Sequence, residues 1–164
     1  MAEELFAGLS YEQVVQKYYQ TVASVCVMHI KSRHDAEDCF QNTFLKLYQK
    51  SPDFNSESHL KAWLIRVAMN ECANLRRKNR FTVSLTYVDS DDAISFPDND
   101  SDDISWALVQ LEPKYRDVLY LKYCEQYKSH EIAEILGKSD NTVRTLIKRG
   151  KEKLKKIYGG DDDE

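Results

Sequence analysis

The stretch from Ser129 to Lys156, SHEIAEILGKSDNTVRTLIKRGKEKLKK, reads as a helix-turn-helix that ends in a basic helix, and it constrains the rest of the chain. Ile132, Ala133 and Leu136 fall at helical spacing. Gly137 is the residue type that turns left-handed after a helix end, and Ser139 can cap a second helix. On that second helix Val143, Ile147, Gly150 and Leu154 recur at steps of four, three and four and form one apolar stripe. Asn141, Thr142, Arg144, Thr145, Lys148, Lys151 and Lys155 lie away from it, on a face suited to a major groove. From Lys138 to Ile157 eight Lys/Arg stand against two acids, a local charge of +6 in a chain whose formal total is −4. Attraction to phosphate is therefore expected to be local, with repulsion elsewhere.

At 164 residues the chain allows one ordinary domain or two small ones. Hydrophobic residues at 42% and charged residues at 30% fit amphipathic helices, and no membrane insertion is expected. The N-terminus MAEELFAGLSYEQ carries acids where a secretory signal would carry Lys/Arg and a long apolar run, which predicts a cytoplasmic protein. Cys26, Cys39, Cys72 and Cys124 form no C-x-x-C pair and read as reduced core thiols. No cofactor is expected.

In chain order, Ser10 to Ile30 has helical periodicity through Val14, Tyr18, Val22 and Val25, with Ser10 as cap. Asp35 to Lys50 follows, with Ala36, Phe40, Thr43, Phe44 and Leu47 inward. Ser51-Pro52 ends it, and a polar loop runs to Ser58. A third helix from about His59 to Arg80 turns Leu60, Leu64, Val67, Ala68 and Leu75 inward, with Trp63 beside them in the core. Between Phe81 and Trp106 there are seven aspartates and no Lys/Arg, the composition of a flexible acidic linker. Beyond it, Asp103 to Leu111 and Pro113 to Tyr123 read as two helices that complete a four-helix unit with the helix-turn-helix. The expected fold is all-α, with two small helical domains at 10–80 and 103–158 and a linker at 81–102.

DAEDCFQNTFLKLYQK, HLKAWLIRVAMNECANLRRK and LEPKYRDVLYLKYCEQYKSHEIAEILGKSDNTVRTLIKRGKEKLKK, in that order, resemble the extracytoplasmic-function sigma factors of bacterial RNA polymerase. The resemblance implies a first domain that binds the clamp of core RNA polymerase and opens the minus-ten element, and a second that reads the minus-thirty-five element of promoter DNA as duplex. It also implies an anti-sigma factor as partner. Asp38, Gln41 and Leu45 match the helix that such factors lay against the clamp. The loop Ser51 to Ser58 matches the segment that captures an extruded base, and Trp63, Arg66, Asn70, Asn74, Arg76 and Arg77 match the strand-opening helix, Trp63 being read as a core residue before a stacking platform. Asn141, Thr142, Arg144, Thr145, Lys148 and Lys151 fall on the recognition helix.

Two positions depart from the family pattern. Leu146 stands where a basic residue is common, and Gly150 stands where alanine is usual, at a cost of up to about 1 kcal/mol in a helix interior. Two rival classes have some support in the residues. An enzyme or metal protein would draw on Cys26 with His29 and on His34 with Cys39, two scattered pairs without a closed motif. A conventional helix-turn-helix regulator would bind duplex DNA without contacting polymerase, and would not need the basic, asparagine-bearing third helix.

Overall fold

The computed structural model describes residues 5–50, 52–81 and 107–159, and every named element among them is helical. The chain divides into two compact units, Met1–Phe96 and Pro97–Glu164. All of the expected linker except its first residue lies outside the described residues.

The first unit is three mutually packed helices, α1 (Tyr11–His29), α2 (Arg33–Lys50) and α3 (Glu57–Phe81). A capping box starts α1: the Gln13 N–H donates to Ser10 Oγ at 3.2 Å and the Ser10 N–H donates to Gln13 Oε1 at 2.9 Å. Val14, Val22 and Val25 of α1, Leu47 of α2, and Leu60, Leu64 and Ile65 of α3 are completely buried. Each such side chain contributes roughly 1.5–3 kcal/mol through burial. At the surface Tyr18 Oη donates to Glu57 Oε1 at 2.8 Å and Lys17 pairs with the same carboxylate, joining α1 to the first turn of α3. The bond from Lys17, reinforced by that from Tyr18, holds Glu57 below the usual carboxylate range.

The inward face of α3 differs in part from the periodic reading. Ile65, Met69 and Cys72 are buried, whereas Val67 and Leu75 are only partly covered. Trp63 is not a core residue: it is half-buried and sets its ring edge-to-face against Phe54 of the preceding loop, centroids 5.8 Å apart. Bordering Leu60 and Leu64 in sequence did not put it inside, because one residue's advance along a helix turns a side chain by about 100°.

In the second unit α4 (Pro113–Leu119) runs directly into a π-helical turn at Tyr120–Cys124, and is followed by α5 (Ser129–Leu136) and α6 (Asp140–Gly159). Of the helix expected over Asp103 to Leu111, the described residues contain only a helical turn at 107–109. Ala107, Leu108 and Leu111 are nonetheless buried, and the buried Arg116 of α4 reaches back to the carbonyls of this segment. Gly137 ends α5 at φ +65°, as its identity predicted.

Gly150 is buried where α6 crosses α4. A Cβ built there would lie 3.1 Å from Leu119 Cδ1 and 3.4 Å from Tyr115 Cβ. The helix-propensity gain expected from alanine is therefore opposed by crowding, and the glycine is a packing residue of the crossing.

Candidate nucleic-acid interface

The turn after Gly137 delivers the chain to Ser139, whose Oγ accepts the Thr142 N–H at 3.1 Å and starts α6 at Asp140. Because Val143, Ile147 and Gly150 are buried and α6 packs against α4 and α5, the opposite side is left open. Asn141, Thr142, Arg144, Thr145, Lys148 and Lys151 are all exposed there, and Leu146 is half-buried beside the stripe. Arg144, Lys148 and Lys151 line an open cleft of about 490 Å³ together with Lys122, Ser129, Ile147 and Glu152. Four cations against one carboxylate give the cleft the electrostatics of a phosphate track.

Three residues of this surface were missed by the sequence reading. Lys122 and Ser129 line the cleft, and the ring of Tyr123 lies 5.5 Å from Lys151 Nζ in a cation–π arrangement. Lys122 and Tyr123 belong to the π-helical turn, which places side chains at angles an α-helical wheel does not give. Tyr123 is 39% exposed, and the signal that could have found it is an aromatic residue next to a lysine just before the helix-turn-helix.

On the first unit, Arg66, Asn70, Asn74 and Arg77 are exposed along α3 at steps of four, four and three, so they share one face. Arg76 does not join them. It is half-buried, its Nη1 is enclosed without a hydrogen-bond partner, and its charge lies close enough to act on Cys72. Arg77 and Arg76, adjacent in sequence, point to different sides of the helix. Phe54 packs against His59 at 5.3 Å as well as Trp63, the Asn55 N–H donates to His59 Nδ1 at 3.3 Å, and the His59 N–H donates to Ser56 Oγ at 3.2 Å. The described part of the loop is thus seated on the first turns of α3, beside the Arg66 face.

On α2, Asp38, Gln41 and Leu45 are exposed, and Tyr48 continues the row at steps of three, four and three. Leu45 is 47% and Tyr48 65% exposed, a large apolar contribution for an outer helix face. Tyr48 rests edge-on against Tyr11 at 5.5 Å, and Tyr11 Oη donates to the Phe44 carbonyl at 3.0 Å.

The family model for sigma-70 region 2 matches residues 14–82, and that for sigma-70 region 4 matches residues 102–154. The chain is 29% identical over 164 residues to the ECF RNA polymerase sigma factor SigW of Bacillus subtilis (strain 168), covering 90% of this chain and 88% of that one. It belongs to the extracytoplasmic-function sigma factors. SigM of the same organism is 26% identical over 164 residues, covering 95% of this chain and 100% of SigM. Among solved structures, the sigma factor RpoE in its co-crystal with the anti-sigma factor NepR from Bartonella quintana shares the fold. Its TM-score is 0.70 at 20% identity, over 92% of this chain and 98% of that chain.

In this sigma factor the thiols have a structural setting. Cys72 of α3 is hydrogen-bonded to Cys26 of α1 and to Cys39 of α2, and all three are buried. The Cys39 thiol is pushed far up by its bond to Cys72 and then by burial, and Cys72 is pushed up chiefly by its bond to Cys26. Such thiols act as small core side chains. Cys124 is exposed, which corrects the expectation that all four are core residues. Its chain position explains this, since it closes the π-helical turn at the surface. His34, the other half of the pair suggested with Cys39, is exposed and lies 3.6 Å from Asp38. Among the described residues no group of three or more His, Cys, Asp or Glu is arranged to hold a metal, and no helix is long and apolar enough to cross a membrane.

Proposed function

We infer that this chain binds core RNA polymerase and directs promoter-specific initiation of transcription, as a cytoplasmic regulatory subunit without catalytic chemistry of its own. The observation that carries this reading is the ordered pair of sigma regions in one chain, region 2 at 14–82 and region 4 at 102–154. A conventional helix-turn-helix regulator is not favoured, because nothing in duplex recognition calls for a first unit bearing an asparagine-arginine face and an exposed apolar row on a separate helix.

The division of labour follows from the chemistry of each face. Residues 10–80 serve as the polymerase-binding and minus-ten domain, with Asp38, Gln41, Leu45 and Tyr48 against the clamp. Arg66 and Arg77 hold phosphates while Asn70 and Asn74 bond base edges once strands have parted. Residues 103–158 serve as the duplex reader, with the α6 face in the major groove of the minus-thirty-five element and Lys122 and Ser129 at its edge. The linker at 81–102 connects the two. An anti-sigma factor, of the kind present in the Bartonella quintana complex, is the expected regulator.

Run-off transcription with core polymerase on genomic DNA tests the reading as a whole. Specific starts should appear only when the chain is added, and equal initiation without it would sink the idea. The two DNA contacts can then be separated. Arg144→Ala should weaken duplex binding by about 1–3 kcal/mol, the worth of a base-edge pair. Asn70→Ala and Asn74→Ala should leave duplex binding intact and reduce permanganate-reactive thymines in the open complex. Both assays belong at one fixed salt concentration, since phosphate contacts are salt-dependent. If Asn70→Ala weakens duplex binding as much as Arg144→Ala, the assignment of roles is wrong.

A further inference from the structure

We propose that Asp140 is a positioning residue that fixes the Arg144 guanidinium for a base edge and so sets the base preference of the recognition helix. The inference rests on the reading of α6 as the duplex reader. Asp140 Oδ2 lies 3.0 Å from Arg144 Nη2, one helical turn along α6, while the Arg144 side chain is 66% exposed toward the cleft.

Capping does not account for the acid at this position. The Thr142 N–H is already taken by Ser139 Oγ at 3.1 Å, and Ser139 Oγ donates in turn to Thr142 Oγ1 at 2.8 Å. The second carboxylate oxygen of Asp140, Oδ1, is buried without a hydrogen-bond partner. Asp140 is also one of only two acids, with Glu152, among the twenty residues 138–157, against eight Lys/Arg that attract phosphate. A carboxylate there is repelled by the DNA backbone, so its presence weakens unspecific binding. What it supplies is orientation.

An arginine carries five donors in one plane on a flexible stem, and left alone it can bind either a phosphate or a base. Anchoring Nη2 fixes the plane of the guanidinium and leaves its remaining N–H groups free to address the O6/N7 edge of a guanine as a pair. Helix-dipole compensation by a first-turn acid is the plainer role, and it would stabilise α6 equally whatever base lies opposite. Base preference therefore distinguishes the two.

The test uses the full chain assembled with core polymerase and a promoter pool randomised over the upstream major-groove turn, with bound DNA sequenced. The parent should enrich guanine at one column that Arg144→Ala erases. Asp140→Asn should lower that enrichment about tenfold while binding to the unselected pool is unchanged or tighter. Asp140→Glu, which keeps a carboxylate within reach of the fourth residue on, should restore it. In the Arg144→Ala background Asp140→Asn should change nothing further in that column. Retention of the guanine column by Asp140→Asn, or an equal loss across all sequences, overturns the inference. If Arg144→Ala erases no column while polymerase still selects promoters, Arg144 does not read bases and the inference falls, with the sigma reading intact. If no variant and no parent selects any sequence, the sigma reading falls with it.

Discussion

Replacing Leu45 and Tyr48 together by glutamate should abolish co-purification of this sigma factor with core polymerase. Both side chains are large, apolar and about half or more exposed, at 47% and 65%, on a helix whose opposite face is the core of the first unit. They sit in one row with Asp38 and Gln41, a pairing of apolar anchors and polar rim that suits a reversible interface. Tyrosine is among the residue types that dominate binding energy, at ~2 kcal/mol or more for an anchor. Tyr48 alone corresponds to about thirtyfold in Kd, and setting a glutamate charge at each position against the partner adds to the loss. Asp38→Ala with Gln41→Ala should weaken the complex by less, since rim groups exchange protein contacts for water. Helicity by circular dichroism and the melting of the first unit should change little, because neither anchor belongs to the buried set. Retained binding would move the interface to another face of the unit.

The second large effect is expected at Arg116. Its Nε donates to the Leu108 carbonyl at 3.2 Å, and its Nη2 donates to those of Val109 at 3.1 Å and Leu111 at 2.7 Å, in a site where the residue is only 9% exposed. Those carbonyls belong to a short helical turn at the start of the unit, and that of Leu108 also accepts the Leu111 N–H at 3.1 Å. Arg116→Met keeps the volume and removes all the donors, leaving buried acceptors at a cost of about 3 kcal/mol or more. At roughly 0.05–0.15 kcal/mol per residue, a unit of this size has little more than that to lose. Thermal unfolding of the full chain should therefore lose its second-unit transition, and duplex binding should fall with it. Arg116→Lys should fail to rescue, since a point ammonium cannot span a row of carbonyls that a planar fork reaches. A melting curve like the parent's would mean that water replaces the guanidinium.

Arg116 also marks where the sequence stopped being informative. The helices themselves were legible, because each pairs a periodic apolar stripe with a local stop: Ser10 before α1, Gly137 after α5, Ser139 before α6. Those signals are carried by neighbours in the chain. An arginine that folds back five to eight residues to hold carbonyls looks, in sequence, like any surface arginine of an amphipathic helix. The same holds for the π-helical turn, where one extra residue per turn shifts Lys122 and Tyr123 toward α6 without any compositional trace. Arg76 and Trp63 went astray for a different reason. Both lie at the boundary between the inward and outward arcs of α3, where a wheel cannot decide and packing does.

The exposed faces fared better. Arg66, Asn70, Asn74 and Arg77, and the row from Asn141 to Lys151, were placed correctly as surface because polar residues at helical spacing have no reason to turn inward.

The three hydrogen-bonded sulfurs of the first unit give the molecule a built-in reporter. Each of α1, α2 and α3 contributes one, so none is accessible to an alkylating reagent until the three helices separate, while Cys124 in the other unit reacts from the folded state. Pulse labelling followed by mass measurement would thus count fast and slow thiols in a single unmodified chain. It would time the opening of the first unit, free or held by polymerase, without a dye, a tag or a substitution.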